Sequence, residues 1–280
     1  MKLIVDAGST KTHWSLLTGE SGEIIRIKTE GINPVIQSKS QIGNIIREAS
    51  ERLQTPNIVQ IHFFGAGCVS ESVIGELREI ITSYWPDART NIDSDMVGAC
   101  KALFGDGSGL ACILGTGSNS CYFSRGEILD KIPSLGYILG DEGSGAALGK
   151  RLLNAIYKKQ LSPEITEKFK ETYKSSLEDV IVNVYRKPNP SKFLASFSPF
   201  ISENRAFPEI EKLIYEELEN FIIKNILPYK LKPVTKIGFV GSIAKIYKDI
   251  LVSLLKKYQF ENLVILEVPM PALEVYFMNN

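Results

Sequence analysis

The sequence predicts a two-lobed α/β protein in which a mixed β-sheet flanked by helices occurs twice. The chain opens with strand-like runs at about 2–6, 12–18 and 23–29 and then alternates helix with strand, the order expected of a mixed sheet with helices packed on it. A second set of strand-like runs fills GLACILGTGSNSCYFSRGEILDKI, 109–132. Both sets turn through glycine. The run ending at Asp6 continues Ala7-Gly8-Ser9-Thr10, and the run ending at Leu114 continues Gly115-Thr116-Gly117-Ser118, which suggests an internal duplication. With 280 residues the chain is long enough for two domains with buried cores. The expected lobes are 1–105 and 106–280, with the crossing at Phe104-Gly105-Asp106-Gly107-Ser108 and the last helix free to pack on the first lobe.

Each element has a local reason. VDAGSTKTHWSLL, 5–17, reads as a tight hairpin: Asp6 ends Leu3-Ile4-Val5, Trp14, Leu16 and Leu17 resume a β-like pattern, and the turn between them calls for glycine at positive φ. After a loop with Gly31, Asn33 and Pro34 come an amphipathic helix at 39–53, a strand at 58–64 closed by Gly65-Ala66-Gly67, a helix at 71–84 and a short strand at 90–92. The second triplet leads to a helix at 146–157 and then to a helical insertion punctuated by Pro188, Pro190, Pro199 and Pro208. There Ile210, Leu213, Ile214, Leu218, Phe221, Ile222 and Ile226 fall at helical spacing, a core stripe. A strand at 236–240, Gly241-Ser242, a helix at 243–257, a strand at 263–267 and a short helix after Pro271 follow.

Composition narrows the function. Lys plus Arg and Asp plus Glu both number 32, so no global field recruits nucleic acid or an acidic membrane surface. Cys68, Cys100, Cys112 and Cys121 show no CxxC spacing, and the two histidines, His13 and His62, lie in separate strands, which argues against a structural zinc site or a disulfide framework. No basic and apolar leader precedes the first strand, and no apolar run approaches the ~20 residues that span a bilayer. A soluble cytoplasmic protein with reduced thiols is the expectation.

The glycine turns offer backbone N–H groups to an anion with no Cβ in the way, a arrangement suited to phosphates. In GFVGSIAK, 238–245, Gly241-Ser242 joins a buried strand to a helix, where a flat ring can lie against the backbone; a tight strand-to-helix turn explains the same residues. No GxxxxGK[ST] run is present, which excludes a P-loop. Gly105-Asp106-Gly107 and Gly115-Thr116-Gly117 lack the third glycine and helix of a dinucleotide fingerprint.

In this order, and with Asp6 ahead of the first, the three glycine stretches resemble the phosphate-one, phosphate-two and adenosine motifs of the superfamily of sugar kinases, actin and heat-shock chaperone ATPases. DAGSTKT, GTGSNS and LGDEGSG look most like the BadF/BadG/BcrA/BcrD-type ATPases and, among them, the N-acetylglucosamine kinases. The resemblance implies the actin-like ATPase (ribonuclease H-like) fold and ATP-dependent phosphorylation of an amino sugar or hexose, N-acetylglucosamine to its 6-phosphate above all. It assigns Asp6, Gly8, Ser9, Thr10, Lys11, Gly115, Thr116, Gly117, Ser118, Gly241 and Ser242 to ATP, and Asp6 with Asp141 to Mg²⁺. Asp95 in NIDSDMVGAC matches the aspartate that opens a helix and acts as catalytic base; an Asp in a first helical turn also stabilises the macrodipole, and Asp93 or Ser94 could cap beside it.

Asn33, Asn119, Asp141 and Gly65 are carried over as sugar-binding, while Asn33 before Pro34 is also a common turn residue and Asn119 could face the other side of its strand. Two departures stand out: Cys68 lies where relatives have a serine, and PALEVYFMNN carries Glu274, Val275 and Tyr276 where relatives have small residues. The expected partners are a small sugar and a second copy of the chain in a homodimer, with neither nucleic acid nor membrane. Two other roles fit the wider family: an ATPase activator or subunit of a 2-hydroxyacyl-CoA dehydratase or benzoyl-CoA reductase system, which needs an exposed cysteine pair for a cluster, and a nucleotide-switched binding protein.

Overall fold

The computed structural model describes residues 1–19, 22–54, 57–232 and 235–280. The first sheet is built from β1 (Lys2–Ala7), β2 (Lys11–Leu17), β3 (Ile24–Glu30), β4 (Gln60–Gly65) and β5 (Arg89–Ser94), with helices α1 (Lys39–Leu53), α2 (Glu71–Tyr84) and α3 (Asp95–Phe104). The second uses β6 (Ser108–Leu114), β7 (Ser118–Ser124), β8 (Glu127–Ile132), β9 (Ile237–Val240) and β10 (Leu263–Leu266). Between β8 and β9 lie α4 (Gly136–Leu139), α5 (Gly145–Tyr157), α6 (Pro163–Tyr173), α7 (Leu177–Tyr185), α8 (Pro190–Ala195), α9 (Ser198–Glu203), α10 (Pro208–Asn225) and a 3-10 turn at Leu227–Tyr229. Helices α11 (Ser242–Ile246) and α12 (Lys248–Lys257) link β9 to β10, and α13 (Met270–Asn279) closes the chain.

The two sheets repeat one topology. Their strand orders, β3-β2-β1-β4-β5 and β8-β7-β6-β9-β10, are the same pattern, a meander of three strands followed by two crossovers. In the first sheet β1 and β3 each run antiparallel to β2, while β1, β4 and β5 run parallel. In the second, β6, β9 and β10 run parallel. This is the duplicated mixed sheet of the actin-like ATPase fold. The chain forms two compact units, residues 1–108, 123–128 and 268–280 in unit 1 and residues 109–122 and 129–267 in unit 2.

In unit 1, the centre of β1, Leu3 to Val5, is apolar because both of its faces are covered. Side chains alternate across a strand, so Leu3, Val5 and Ala7 join the cluster beneath α1 and α2, while Ile4 joins Leu17 and Phe64 beneath Met270, Leu273 and Phe277 of α13. Serines start the helices. Ser38 and Gln41 form a reciprocal capping box on α1, and the Ser70 and Ser94 hydroxyls accept the Val73 and Val97 amides. In unit 2, the α10 stripe is buried against Leu110, Leu114, Phe239 and the helices of the insertion.

Several strand bounds shift by a residue or two from the sequence reading, β4 to Gln60–Gly65 and β5 to Arg89–Ser94 among them, and two helices differ for a physical reason. The helix expected over 243–257 is interrupted at Tyr247, whose backbone leaves the helical basin (φ −105°, ψ 30°) while its ring is fully buried. No glycine or proline announces that break, because the burial of one ring in the core drives it. Helix α13 starts at Met270, with Pro271 inside its first turn, where a missing N–H costs nothing. The hairpin glycines also behave unexpectedly: Gly8, Gly115 and Gly117 are absent from the positive-φ residues.

The unusual residue in α13 has a partner on the sheet. Glu274, 2% exposed, accepts hydrogen bonds from the Ser15 hydroxyl at 2.6 Å and from Arg26 Nε at 2.7 Å and Nη2 at 2.6 Å. Burial alone would raise its pKa, but the bonds from Arg26 and Ser15 prevail and hold it below the usual glutamate value. Glu274 is therefore a polar anchor between α13 and the sheet. Replacing Glu274 by Leu strands the fully buried Ser15 hydroxyl, and urea unfolding at pH 7 is expected to show a loss of about 1–3 kcal/mol. Most of this loss comes from Ser15, since the Arg26 side chain is 57% exposed and water screens it. Because the native pKa is depressed, the contribution is complete above the ordinary value of 4.5 and fades as pH falls through the native one, so the gap between wild type and Glu274→Leu should narrow in acid.

Candidate active site

The candidate residues of unit 1 lie at the carboxyl ends of its parallel strands, where α/β sheets bind ligands. The register pairs Asp6 with Phe64 and Phe64 with Asp93, then Ala7 with Gly65 and Gly65 with Ser94. Asp95 follows as the first residue of α3. Ser94 supplies the cap and Asp95 stands in the first turn, the arrangement that favours the macrodipole, with its Oδ1 accepting the Met96 amide at 2.9 Å. Helix α3 can approach β4 closely because Gly98 lacks a Cβ, which would stand 2.8 Å from Phe64 Cβ.

Contacts tie the loops of this edge together. The Asn33 side-chain amide donates to Ser9 Oγ at 2.9 Å, and its carbonyl accepts the Val35 amide at 3.1 Å. The same carbonyl lies against Gly67, which has φ +80° and where a Cβ would collide with it. Asn33 is thus both the expected turn residue and a bridge to the first glycine turn. A Cβ on Gly65 would stand 2.9 Å from Cys68 Sγ. Burial, then Asp95 and Asp93, pushes the Cys68 thiol up to about 12, so it stays protonated. Asp93 is itself raised by burial, against the pull of Lys101. Asp6 stands 3.6 Å from His13 Nδ1, and Thr10 and Lys11 are exposed on the turn.

Unit 2 gathers a second group at the matching edge, where β6 and β9 end level with Ile113 opposite Val240. The Gly115–Ser118 turn is bonded to the start of α5: the Gly145 amide donates to Gly115 O at 2.8 Å and the Ala146 amide to Thr116 O at 3.0 Å. Asp141, with φ +57°, accepts the Ser118 amide at 3.1 Å, and a Cβ on Gly117 would stand 3.1 Å from its carboxylate. Burial raises the Asp141 pKa; the Ser118 bond opposes this and Glu142 adds to it. Gly241, at φ +129°, lies so close to Leu114 O that a Cβ would collide with it, and Ser242 opens α11 beside the turn. Asn119 lies on β7, and its side-chain carbonyl accepts the amide proton of the next residue, Ser120, at 3.0 Å. Among the described residues no group of three or more His, Cys, Asp or Glu side chains is placed to hold a metal.

No protein-family model matches the sequence, and no curated protein matches it. Solved structures do. A Porphyromonas gingivalis protein proposed to be an N-acetylglucosamine kinase is 40% identical, with 100% of this chain and 99% of that chain covered and a TM-score of 0.94. The chain belongs to this N-acetylglucosamine kinase-like family. A Chromobacterium violaceum protein proposed to have the same activity is 18% identical over 98% of each chain, with a TM-score of 0.77. A ROK hexokinase from Thermus thermophilus is 15% identical over 99% of each chain, with a TM-score of 0.55, a likeness of fold.

Within this kinase-like chain, motif reading singled out the glycines of the turns and missed the ones that position them. Gly31 is the clearest case: a Cβ there would stand 2.5 Å from Gly8 O and from the Ser9 carbonyl carbon. The signal was available, since glycine opens Gly31-Ile32-Asn33-Pro34, yet nothing local shows which loop it touches. Gly115 is the opposite case. Its φ is not left-handed, and an added Cβ would meet nothing within 4 Å among the described residues. Glycine costs ~0.5–1 kcal/mol against alanine in a regular element, so an unforced glycine points to a need outside the folded chain. Gly31→Ala and Gly241→Ala are expected to lower stability by about 1–3 kcal/mol in thermal unfolding. Gly115→Ala, by contrast, should leave stability the same or raise it by up to about 1 kcal/mol.

Proposed function

We propose that the protein transfers the γ-phosphoryl group of ATP to the primary hydroxyl of an amino sugar or hexose, with N-acetylglucosamine as the acceptor and its 6-phosphate as the product. The observation that carries the reading is the 40% identity, over the whole of this chain, to a protein proposed to be an N-acetylglucosamine kinase. The two edge constellations support it. In unit 2, Gly115, Thr116, Gly117 and Ser118 present backbone to phosphates, and Gly241 with Ser242 presents it to the adenosine. In unit 1, Asp6, Gly8, Ser9, Thr10 and Lys11 form the first phosphate turn, tied through Ser9 to Asn33.

Asp95 is assigned as the base. Phosphoryl transfer to a hydroxyl needs a carboxylate that accepts its proton and aims it at the phosphorus. The first turn of a helix packed closely on β4 through Gly98 holds such a group rigidly. Asn33, Asn119, Asp141 and Gly65 are assigned to the sugar, whose hydroxyls and acetamide need paired donors and acceptors. Cys68, buried and held as a thiol, offers only a weak donor where relatives place a serine hydroxyl.

The donor set fits Mg²⁺ in its usual phosphate-bound mode. This ion keeps several waters and binds through one or two carboxylates plus phosphate oxygens, so Asp6 suffices as a direct or water-mediated partner without a protein cage. Asp141 can contribute the same way, although one of its oxygens accepts the Ser118 amide. When bound, the ion would neutralise charge on the transferring phosphates. The activator role is disfavoured because all four cysteines are buried, leaving no exposed pair for a cluster. A purely nucleotide-switched binder would need no proton acceptor at Asp95. No helix among the described residues is long and apolar enough to cross a membrane.

Incubation with Mg²⁺-ATP and a panel of monosaccharides, read by ADP release and by phosphorus NMR of the product, tests the proposal. N-acetylglucosamine should give stoichiometric ADP and a 6-phosphate; ADP release independent of any sugar would count against it. Asp95→Asn should lower kcat by roughly 10² to 10⁴ with ATP affinity retained, and wild-type turnover would remove Asp95 from the role of base. Gly115→Ala should weaken ATP binding in calorimetry while the fold is intact.

A further inference from the structure

A single row of residues on α10 grips the loop that carries Asp141. Glu217, Phe221, Lys224 and Asn225 are spaced i, i+4, i+7 and i+8 and so share one helix face. The Glu217 carboxylate, 5% exposed, accepts the Gly143 amide proton at 2.9 Å, and Arg151 Nη1 reaches it at 3.4 Å. Phe221 fills the space beside Gly143, where an added Cβ would stand 2.8 Å from the Phe221 Cβ. Lys224 Nζ and Asn225 Nδ2 donate to Glu142 at 3.1 and 3.2 Å.

Within the gripped loop the Ser144 amide donates to Asp141 O at 3.1 Å, closing a turn. Asp141 has φ +57° and Gly143 φ +71°, and a non-glycine residue with such a φ persists only where its surroundings determine it. Yet this loop fixes the glycine turn of β6 and β7, through Asp141 to the Ser118 amide and through the Gly145 and Ala146 amides to the Gly115 and Thr116 carbonyls. A chain of bonds therefore runs from a helix of the insertion to the Gly115–Ser118 turn.

We propose that Glu217 is a positioning residue for ATP: its buried carboxylate holds the Gly143 amide and so fixes the loop whose Asp141 orders the Gly115–Ser118 turn. The inference rests on the kinase reading in taking that turn as phosphate-binding. The role needs an acceptor oxygen at residue 217 more than it needs a charge, since Arg151 keeps Glu216 as a partner at 2.5 Å.

Calorimetry with a non-hydrolysable ATP analogue and steady-state kinetics separate positioning from mere stability. Glu217→Ala is expected to weaken analogue binding and raise KM for ATP by about 5- to 100-fold, the equivalent of one lost buried hydrogen bond, with KM for the sugar little changed. Glu217→Gln, which keeps an acceptor for Gly143, should recover most of that loss. Glu219→Ala is the control on the same helix. It removes the 2.6 Å pair with Lys257 and should shift the melting temperature alone.

Wild-type analogue affinity in a folded Glu217→Ala, or an equal loss of affinity in Glu219→Ala, overturns the proposal. If Glu217→Ala does not fold, Lys224→Met at a largely exposed position decides. Loss of one of the two donors to Glu142, with Asn225 still bonded to it, should loosen the same loop and weaken analogue binding severalfold, and unchanged affinity again overturns the proposal. A wild-type protein that binds the analogue but phosphorylates no sugar would sink the kinase reading while leaving this test readable. A wild-type protein that does not bind the analogue would sink both.

Discussion

Parallel pairing of the first strand of each sheet with a strand far along the chain is the constraint from which the rest follows. β1 pairs with β4 and β6 with β9, and each pairing forces a crossover long enough to carry helices. It also brings strand ends from distant sequence to one level. Asp6, Gly65 and the start of α3 meet in this way in unit 1, and Gly115 and Gly241 in unit 2. Each neighbourhood is then locked by close approach, with Gly31 against Gly8 and Gly241 against Leu114 O.

Much of this arrangement could be read from the sequence. Apolar runs ending in Asp6 and Leu114 placed both central strands, helix spacing placed α1 and α2 with their observed bounds, and the repeated glycine turn announced the duplication that the shared strand order displays. These signals are local, set by side-chain periodicity and turn chemistry. What could not be read depends on partners remote in sequence. Tyr247 interrupts a helix because the core accepts its ring, and Glu274 contradicts a rule of small residues because Ser15 and Arg26 await it. Glu217 stands beside the apolar stripe of α10, and nothing local in sequence says that the Gly143 amide lies over it.

Backbone conformation does not explain the glycines of the turns. A hairpin reading asks for left-handed φ, which Gly8, Gly115 and Gly117 do not adopt. Gly117 instead makes room for the Asp141 carboxylate, while Gly115 makes room for nothing in the chain. Left-handed backbone is found instead beside these turns, at Asp141, Gly143 and Gly67 among other positions. There conformational freedom serves the loops packed against the turns, while Gly115 keeps its backbone open.

Unit 1 is written in pieces, with residues 268–280 returning to the sheet begun at residue 2, where the Lys2 ammonium donates to Phe277 O across 275 positions. During synthesis, every residue of unit 2 is therefore made before the helix that covers Ile4 and Phe64 exists. Until that helix docks, the sheet of unit 1 has one apolar face bare and the Ser15 hydroxyl lacks its Glu274 partner. Closing that face depends on contacts of very long sequence separation, which slows folding.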